Sequence, residues 1–403
     1  MPPWEAIAIK EMLNEISLHS RAGTNCAKWD GLSFTFGQED LLPLWVADMD
    51  FKVASCIREA LHEAVDQGAF GYYQLPDRFL DSVLHWEETR HGNTLQREWL
   101  RTTPGVVTGL YHLVRAITQP GDGILVQPPV YYPFYRIIRQ TGRTVVCNFL
   151  KEEQGRYTID LADFEEKLKS GQVRVFLLCS PHNPVGRVWT RQELKAMLDL
   201  CKQYGVQVVA DEIHHDIIMP GHTHIPAATL WEGEGKPITF FSASKTFNLA
   251  AMKNSILVLP EEAQREKFDR FEKELGTALG STLDYIAVTA AFEGGASWLE
   301  TVLAEIWGNY QFMKKELEEI PGVVVSPLEG SYLMWIDLGS HVSRENIQSF
   351  IQDTCRIAPD YGHWFFPEAC DDCHIRLNLA APHATIRKAA EQIKTALTQA
   401  LGR

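Results

Sequence analysis

Four chemically distinct side chains stand at or just beyond the ends of short apolar runs. Lys245 closes ITFFSASK, an apolar run that passes into small hydroxyl residues. Burial there penalises the charged form and favours a neutral amine, the form that attacks carbonyls to make a Schiff base. Taken alone, Lys245 reads more readily as a lysine that leaves a strand end and snorkels into water. Asp211 follows VQVVA, and open α/β sheets present their ligands at such carboxyl ends of strands. Beneath a pyridine ring, this carboxylate would keep the ring nitrogen protonated and make the ring an electron sink for a carbanion. The alternatives are a helix-capping Asp and a metal site built from Asp211, Glu212, His214, His215 and Asp216. The adjacent histidines would point apart on an extended strand and the spacing matches no helical ligand pair, so no metal is expected.

Other segments add possible partners. SPHNPVG (180–186) follows an apolar strand, and its prolines fix a turn around Asn183, which either donates to a phenolate oxygen or forms an Asx-turn. TTPGVVTGL (102–110) has a Gly after a Pro just before a helical stretch, so exposed backbone N–H groups at the helix start could hold a phosphate, although the signal is weak alone. Neither a Walker A nor a GxGxxG pattern occurs. PPVYYPFY (128–135) puts aromatic rings after a strand, for stacking on a planar group or for core packing. Arg376, in HIRLNLA, needs a carboxylate in its apolar strand; a substrate or an internal Asp or Glu would serve. Cys370 to His374 spell CxxCH, but an acidic chain without an export signal gives no context for haem, and two free thiols in a surface loop are expected.

These residues need a scaffold. From about residue 100 to 260, β-branched runs alternate with amphipathic segments, which predicts βαβ units and a largely parallel sheet. The expected strands are 123–127, 144–149, 173–179, 206–210, 238–241 and 255–259. A helix is expected over 191–203 with Thr190 as its N-cap, and another over 298–319. Strands at 323–325, 332–336 and 375–379 with a closing helix over 386–401 predict a smaller α+β unit. The expected fold is a three-layer α/β sandwich. Its division is an N-terminal segment (1–50) that crosses the body or reaches a partner, a large cofactor-binding domain (51–290) and a small C-terminal domain (291–403). The 403 residues carry 38 Lys and Arg against 52 Asp and Glu, a net charge of −14 that disfavours nucleic acid and anionic lipid. No apolar run approaches a spanning helix, so a cytoplasmic protein with reduced cysteines is expected.

The set Asn183, Asp211, Lys245 and Arg376, in that order and spacing, resembles the fold-type I pyridoxal 5'-phosphate (PLP) enzymes of the aspartate aminotransferase superfamily. LWVADMDF, FGYYQLP, PPVYYPFY, SPHNPVGRVW, DEIHHDI and SKTFNLA resemble its MalY/PatB-type cystathionine β-lyase and cysteine-S-conjugate β-lyase group. The resemblance implies that Lys245 carries the cofactor and acts as base, and that Asp211 binds the pyridine nitrogen. Asn183 and His214 would lie near the phenolic oxygen and Tyr131 would stack on the ring, as a second candidate proton donor. Val106, Val107, Ser242 and Lys253 would hold the phosphate, with Tyr72 lent by a second subunit of a homodimer. Arg376, with Asn183, would bind the α-carboxylate of a small amino acid. The implied reaction, in sulfur amino acid metabolism, is β-elimination from cystathionine or another S-substituted cysteine, giving a thiol, pyruvate and ammonia. An aminotransferase, or a regulatory protein keeping the fold, is the alternative. The match departs at Ala251, at Lys253, where other branches of the superfamily carry Arg, at Ala381 and in the loop 360–373.

Overall fold

The computed structural model describes residues 13, 16–18, 20–276 and 280–401. Its main sheet has seven strands: β1 (Leu100–Thr103), β2 (Gly123–Val126), β3 (Thr144–Cys147), β4 (Val173–Cys179), β5 (Gln207–Asp211), β6 (Ile238–Phe241) and β7 (Ser255–Val258). They lie in the order β1-β7-β6-β5-β4-β2-β3. All are parallel except β7, which pairs antiparallel with both neighbours. β2, β6 and β7 are buried at every position, as both-face coverage by helices requires. Strand order reverses between β2 and β4, which opens a crevice at their carboxyl ends.

The expected strands occur with ends displaced by one or two residues, and β1 is an addition. LRTT carries a single apolar residue and so lacks a strand-like pattern; it is a strand because it pairs along β7, Ser255 opposite Thr103. Helix Arg191–Gln203 begins with a full capping box between Thr190 and Glu193, satisfying two of the N–H groups a helix start leaves open. The long helix spans Ala296–Glu318 and the last one His383–Leu401.

A second sheet is antiparallel, in the order β8 (Val324–Val325), β9 (Leu333–Asp337), β11 (His374–Asn378) and β10 (Asp360–Tyr361). Arg376 on β11 stands opposite Trp335 on β9 and Asp360 on β10. Residues 20–50 fold onto their own chain: Leu42–Pro43 pairs with Ile357–Ala358. Fully buried Lys28 reaches Asp50 at 2.6 Å, and Arg21 bonds both Asp48 and Asp50.

Helix Val106–Ile117 packs so closely on the sheet that Gly109 is fixed by space. A Cβ there would lie 2.5 Å from Phe240 Cε1 and closer still to Thr103 Oγ1. Gly109→Ala should gain about 1 kcal/mol of helix propensity but lose more to overpacking, typically 1–3 kcal/mol. A lower urea midpoint with unchanged slope is the expected readout; an unchanged or raised midpoint would show that the interface yields.

Candidate active site

Three adjacent parallel strands deliver their chemistry to one edge of the sheet. Asp211 ends β5, Asn183 lies four residues beyond β4, and Lys245 four beyond β6. All three line a cavity of about 270 Å³ together with Val106, Val107, Tyr131, His214, Lys253 and Arg376. Thus the structure brings together every residue the resemblance assigned to the site except Ser242 and Tyr72. Trp45, Ala47, Tyr132, Ser244, Asn254 and Asp360 also line it, and the sequence reading assigned none of these to the site.

Lys245 is half-buried at the cavity wall, and its Nζ donates to Ala47 O at 2.6 Å. Burial, opposed by Asp48, pushes the amine down to about 8. Asp211 is buried, accepts from the Ile213 N–H at 3.1 Å, and makes no ion pair among the described residues. Desolvation pushes it up to about 7, against the Ile213 hydrogen bond and the charge of Lys245. Burial likewise drives His214 well below the usual imidazole range, and its Nδ1 has no hydrogen bond in the structure. Both amide atoms of buried Asn254 are also without partners. Together these leave polar atoms that need a guest, because an unmatched buried polar group costs about 1–3 kcal/mol.

At one end, Gly105, with φ 91°, turns the chain into helix Val106–Ile117. No side chain caps that helix, so its first N–H groups, beside Lys253, make an anion site. Ser242 is not part of this wall. It is the N-cap of the short helix Ala243–Thr246, its hydroxyl accepting from Ser244 N and donating to Asn254 O at 2.6 Å. Ser244 faces the cavity instead. Tyr72 stands fully exposed outside it, near exposed Phe70 and Tyr73.

At the other end, buried Arg376 donates to Asn183 Oδ1 (2.9 Å), to Trp45 O (3.1 Å) and to Asp360 across the strand pair. The internal carboxylate left open by the sequence is therefore present. Asp360 Oδ1 and Arg376 Nε have no hydrogen bond. Burial raises Asp360 to about 6 although Arg376 opposes it. His374 of the CxxCH stretch bonds Asp372 at 2.9 Å and stacks on Trp335 at 4.8 Å, while Cys370 and Cys373 are free thiols.

The family model for aminotransferase class I and II matches residues 39–393. The chain belongs to the class I and II aminotransferase family. Among curated relatives, it is 37% identical over 381 residues to cystathionine beta-lyase PatB of Bacillus subtilis, covering 94% of this chain and 98% of that protein. It is 31% identical to protein MalY of Escherichia coli, covering 91% and 94%. Among solved structures, cystalysin from Treponema denticola, which contains a PLP cofactor, superposes with a TM-score of 0.91 at 32% identity, covering 95% of this chain and 98% of that one. The architecture of this family member is that of the fold-type I PLP enzymes.

An amine at about 8 is mostly charged at pH 6 and half neutral near pH 8. Adduct formation between Lys245 and an aromatic aldehyde should therefore rise roughly tenfold from about pH 6 to pH 7 and level off above about pH 8. An unperturbed lysine would keep accelerating to about pH 10. Rates followed by adduct absorbance, with Lys245→Ala as the blank, separate the two.

Proposed function

We propose that this chain is a PLP-dependent carbon–sulfur β-lyase that converts an S-substituted L-cysteine to a thiol, pyruvate and ammonia. The observation that carries this reading is one cavity holding a weakly basic amine, a buried carboxylate without an ion pair and a buried guanidinium, in a chain that matches a cystathionine beta-lyase and a C–S lyase along nearly all its length. PLP fits the residues present. The open helix start and Lys253 suit its phosphate, Asp211 its pyridine nitrogen, and the orphaned His214 Nδ1 its phenolic edge.

Bound PLP supplies an aldehyde that captures the substrate amine and a ring that accepts the electron pair freed at Cα. Asp211 holds the proton on the pyridine nitrogen, and that positive charge in turn keeps Asp211 ionised. Arg376, steered by Asn183, orients the α-carboxylate. With the cofactor bound, Lys245 Nζ, an amine at about 8 on the cavity wall, would serve as the base for the Cα proton near neutrality. The same amine carries a proton toward the departing sulfur. Tyr131 would assist as a hydrogen-bond donor to that sulfur: burial raises its phenol, which keeps its proton at any working pH. Loss of the Cα proton and the β-thiolate leaves a three-carbon enamine, whose hydrolysis gives pyruvate and ammonia.

Incubation with cystathionine and no keto acid should yield thiol and pyruvate in equal amounts, and Lys245→Ala should lower the rate at least about a thousandfold. Turnover that requires an added keto acid would make the protein an aminotransferase.

We also propose a homodimer in which Tyr72 enters the partner's cavity at its phosphate end. Its complete exposure beside Phe70 and Tyr73 supports this, because adjacent exposed aromatics favour a contact. Inactive Lys245→Ala and impaired Tyr72→Ala proteins should regain activity when their subunits are exchanged, since each mixed dimer would hold one intact site. Absence of recovery in a verified mixed dimer would place Tyr72 within its own subunit's function.

A further inference from the structure

His214 and His215 do face apart: His214 lines the cavity described above, and His215 belongs to a second cluster behind it. That cluster is assembled from three separate parts of the chain. Helix Asp77–His91 contributes Glu87 and His91, four residues apart and so on one face. The turn after β5 contributes His215 and Asp216, and the loop before Ala227 contributes His224. One side-chain ligand atom from each of Glu87, His91 and His215 lies within 4.8 Å of the other two. The His91 and His215 rings are 4.4 Å apart, and His224 stands 5.9 Å from each.

The surrounding bonds orient these groups as ligands. His215 Nδ1 is 2.6 Å from Glu212 O, which makes it the donor, and Nε2, 3.5 Å from Asp216 Oδ2, is the ring's remaining ligand atom. Asn93 donates to Glu87 Oε2 at 2.8 Å, and Asp216 meets His91 Nε2 at 2.9 Å. Glu87 Oε1 and His215 Nε2 approach to 3.1 Å, yet neither has an aligned hydrogen bond. Two ligand atoms on one tetrahedral zinc, each about 2.0–2.1 Å from it, stand roughly 3.3–3.4 Å apart. Buried His224 places Nε2 3.3 Å from Glu212 Oε2 without an aligned hydrogen bond, and its Nδ1 has none.

Charge points the same way. Glu87, Glu212 and Asp216 are buried carboxylates, and among the described residues the permanent cation at the cluster is Arg90, 3.1 Å from Asp216. Three carboxylates face that one permanent cation, and buried negative charge calls for further positive charge. A cleft lined by His91, His215, Asp216, His222 and His224 leads to it from the surface.

We propose that Glu87, His91 and His215 bind one divalent transition-metal ion of the zinc class, with the fourth position open to water or His224. Three nitrogen and oxygen ligands with one open position are a zinc-type set, and imidazole disfavours magnesium or calcium. The ion ties helix Asp77–His91 to the turn that carries His214. The rival means of neutralising the cluster is a proton on His215, whose basicity burial lowers but Asp216 and Glu87 raise to about 10.

The test is titration of chelator-stripped, PLP-loaded protein with Co²⁺. The expected result is one equivalent bound per chain with visible d–d absorption of a low-coordinate nitrogen and oxygen site, displaced by Zn²⁺. His91→Asn and Glu87→Gln should each weaken binding at least tenfold, while Cys370→Ser leaves it unchanged. As a readout independent of those variants, Zn²⁺ but not Mg²⁺ should raise the unfolding temperature of the unaltered protein. No uptake by the unaltered protein would overturn the proposal in favour of an imidazolium–carboxylate cluster. Uptake that survives His91→Asn and Glu87→Gln, or is lost with Cys370→Ser, would overturn it in favour of another site.

Discussion

A half-buried amine and a buried carboxylate that line one cavity without forming an ion pair set the main constraint on this structure. Placed in contact, Lys245 and Asp211 would hold each other charged, and the amine would be a poor nucleophile and base. Kept apart, each bears its own desolvation, and the two drift toward neutrality at about 8 and about 7. Separation is a property of the sheet. Asp211 is the last residue of β5, paired with Phe240 on β6, and Lys245 lies beyond the end of β6 in the short helix Ala243–Thr246.

The amine also needs an acceptor that carries no charge, and the segment Trp45–Ala47 provides one in Ala47 O, which also accepts from Tyr332 Oη at 2.9 Å. An irregular segment crossing a cavity must satisfy its backbone without a ladder. Asparagine side chains do this here. Asn378 donates to Val46 O and Asp48 O, and Asn248 donates to Met49 O and Phe51 O while accepting from Met49 N. The buried Lys28–Asp50 pair anchors the same segment, and removing one partner of such a pair typically costs about 3–5 kcal/mol. The reactivity of Lys245 is thus linked to contacts made by residues far from it in the chain.

That linkage also explains what the sequence made legible. Strands β2, β4, β5, β6 and β7 are largely apolar runs, a local signal, and the groups at their ends follow from strand polarity. Asp211, Asn183 and Lys245 could be placed for that reason. Strand β1 has no such signal, and its identity comes from pairing with β7. Trp45, Ala47 and Asn378 were not recognisable as site residues because their contacts join segments about 200 to 330 residues apart. Ser242 and Ser244 differ only in which side of one tight turn they occupy, a distinction set by Ser242 capping the helix. Composition carries no trace of such a choice.

The least legible feature is also the one that shapes the substrate end. Arg376 was ambiguous between a substrate carboxylate and an internal one, and the structure supplies Asp360 from the neighbouring strand. In the proposed reaction the α-carboxylate would meet a guanidinium already paired on one nitrogen and bonded to Asn183 on another. Two carboxylates at one guanidinium repel unless one is neutral or moves, and Asp360, raised by burial to about 6, is the one that gives up its charge more cheaply. Arg376 Nε, still without a hydrogen bond, leaves an edge for the incoming group. Asp360 therefore sets the local charge against which any substrate carboxylate must bind, and it lies in the loop where this chain departs from the motif it otherwise resembles.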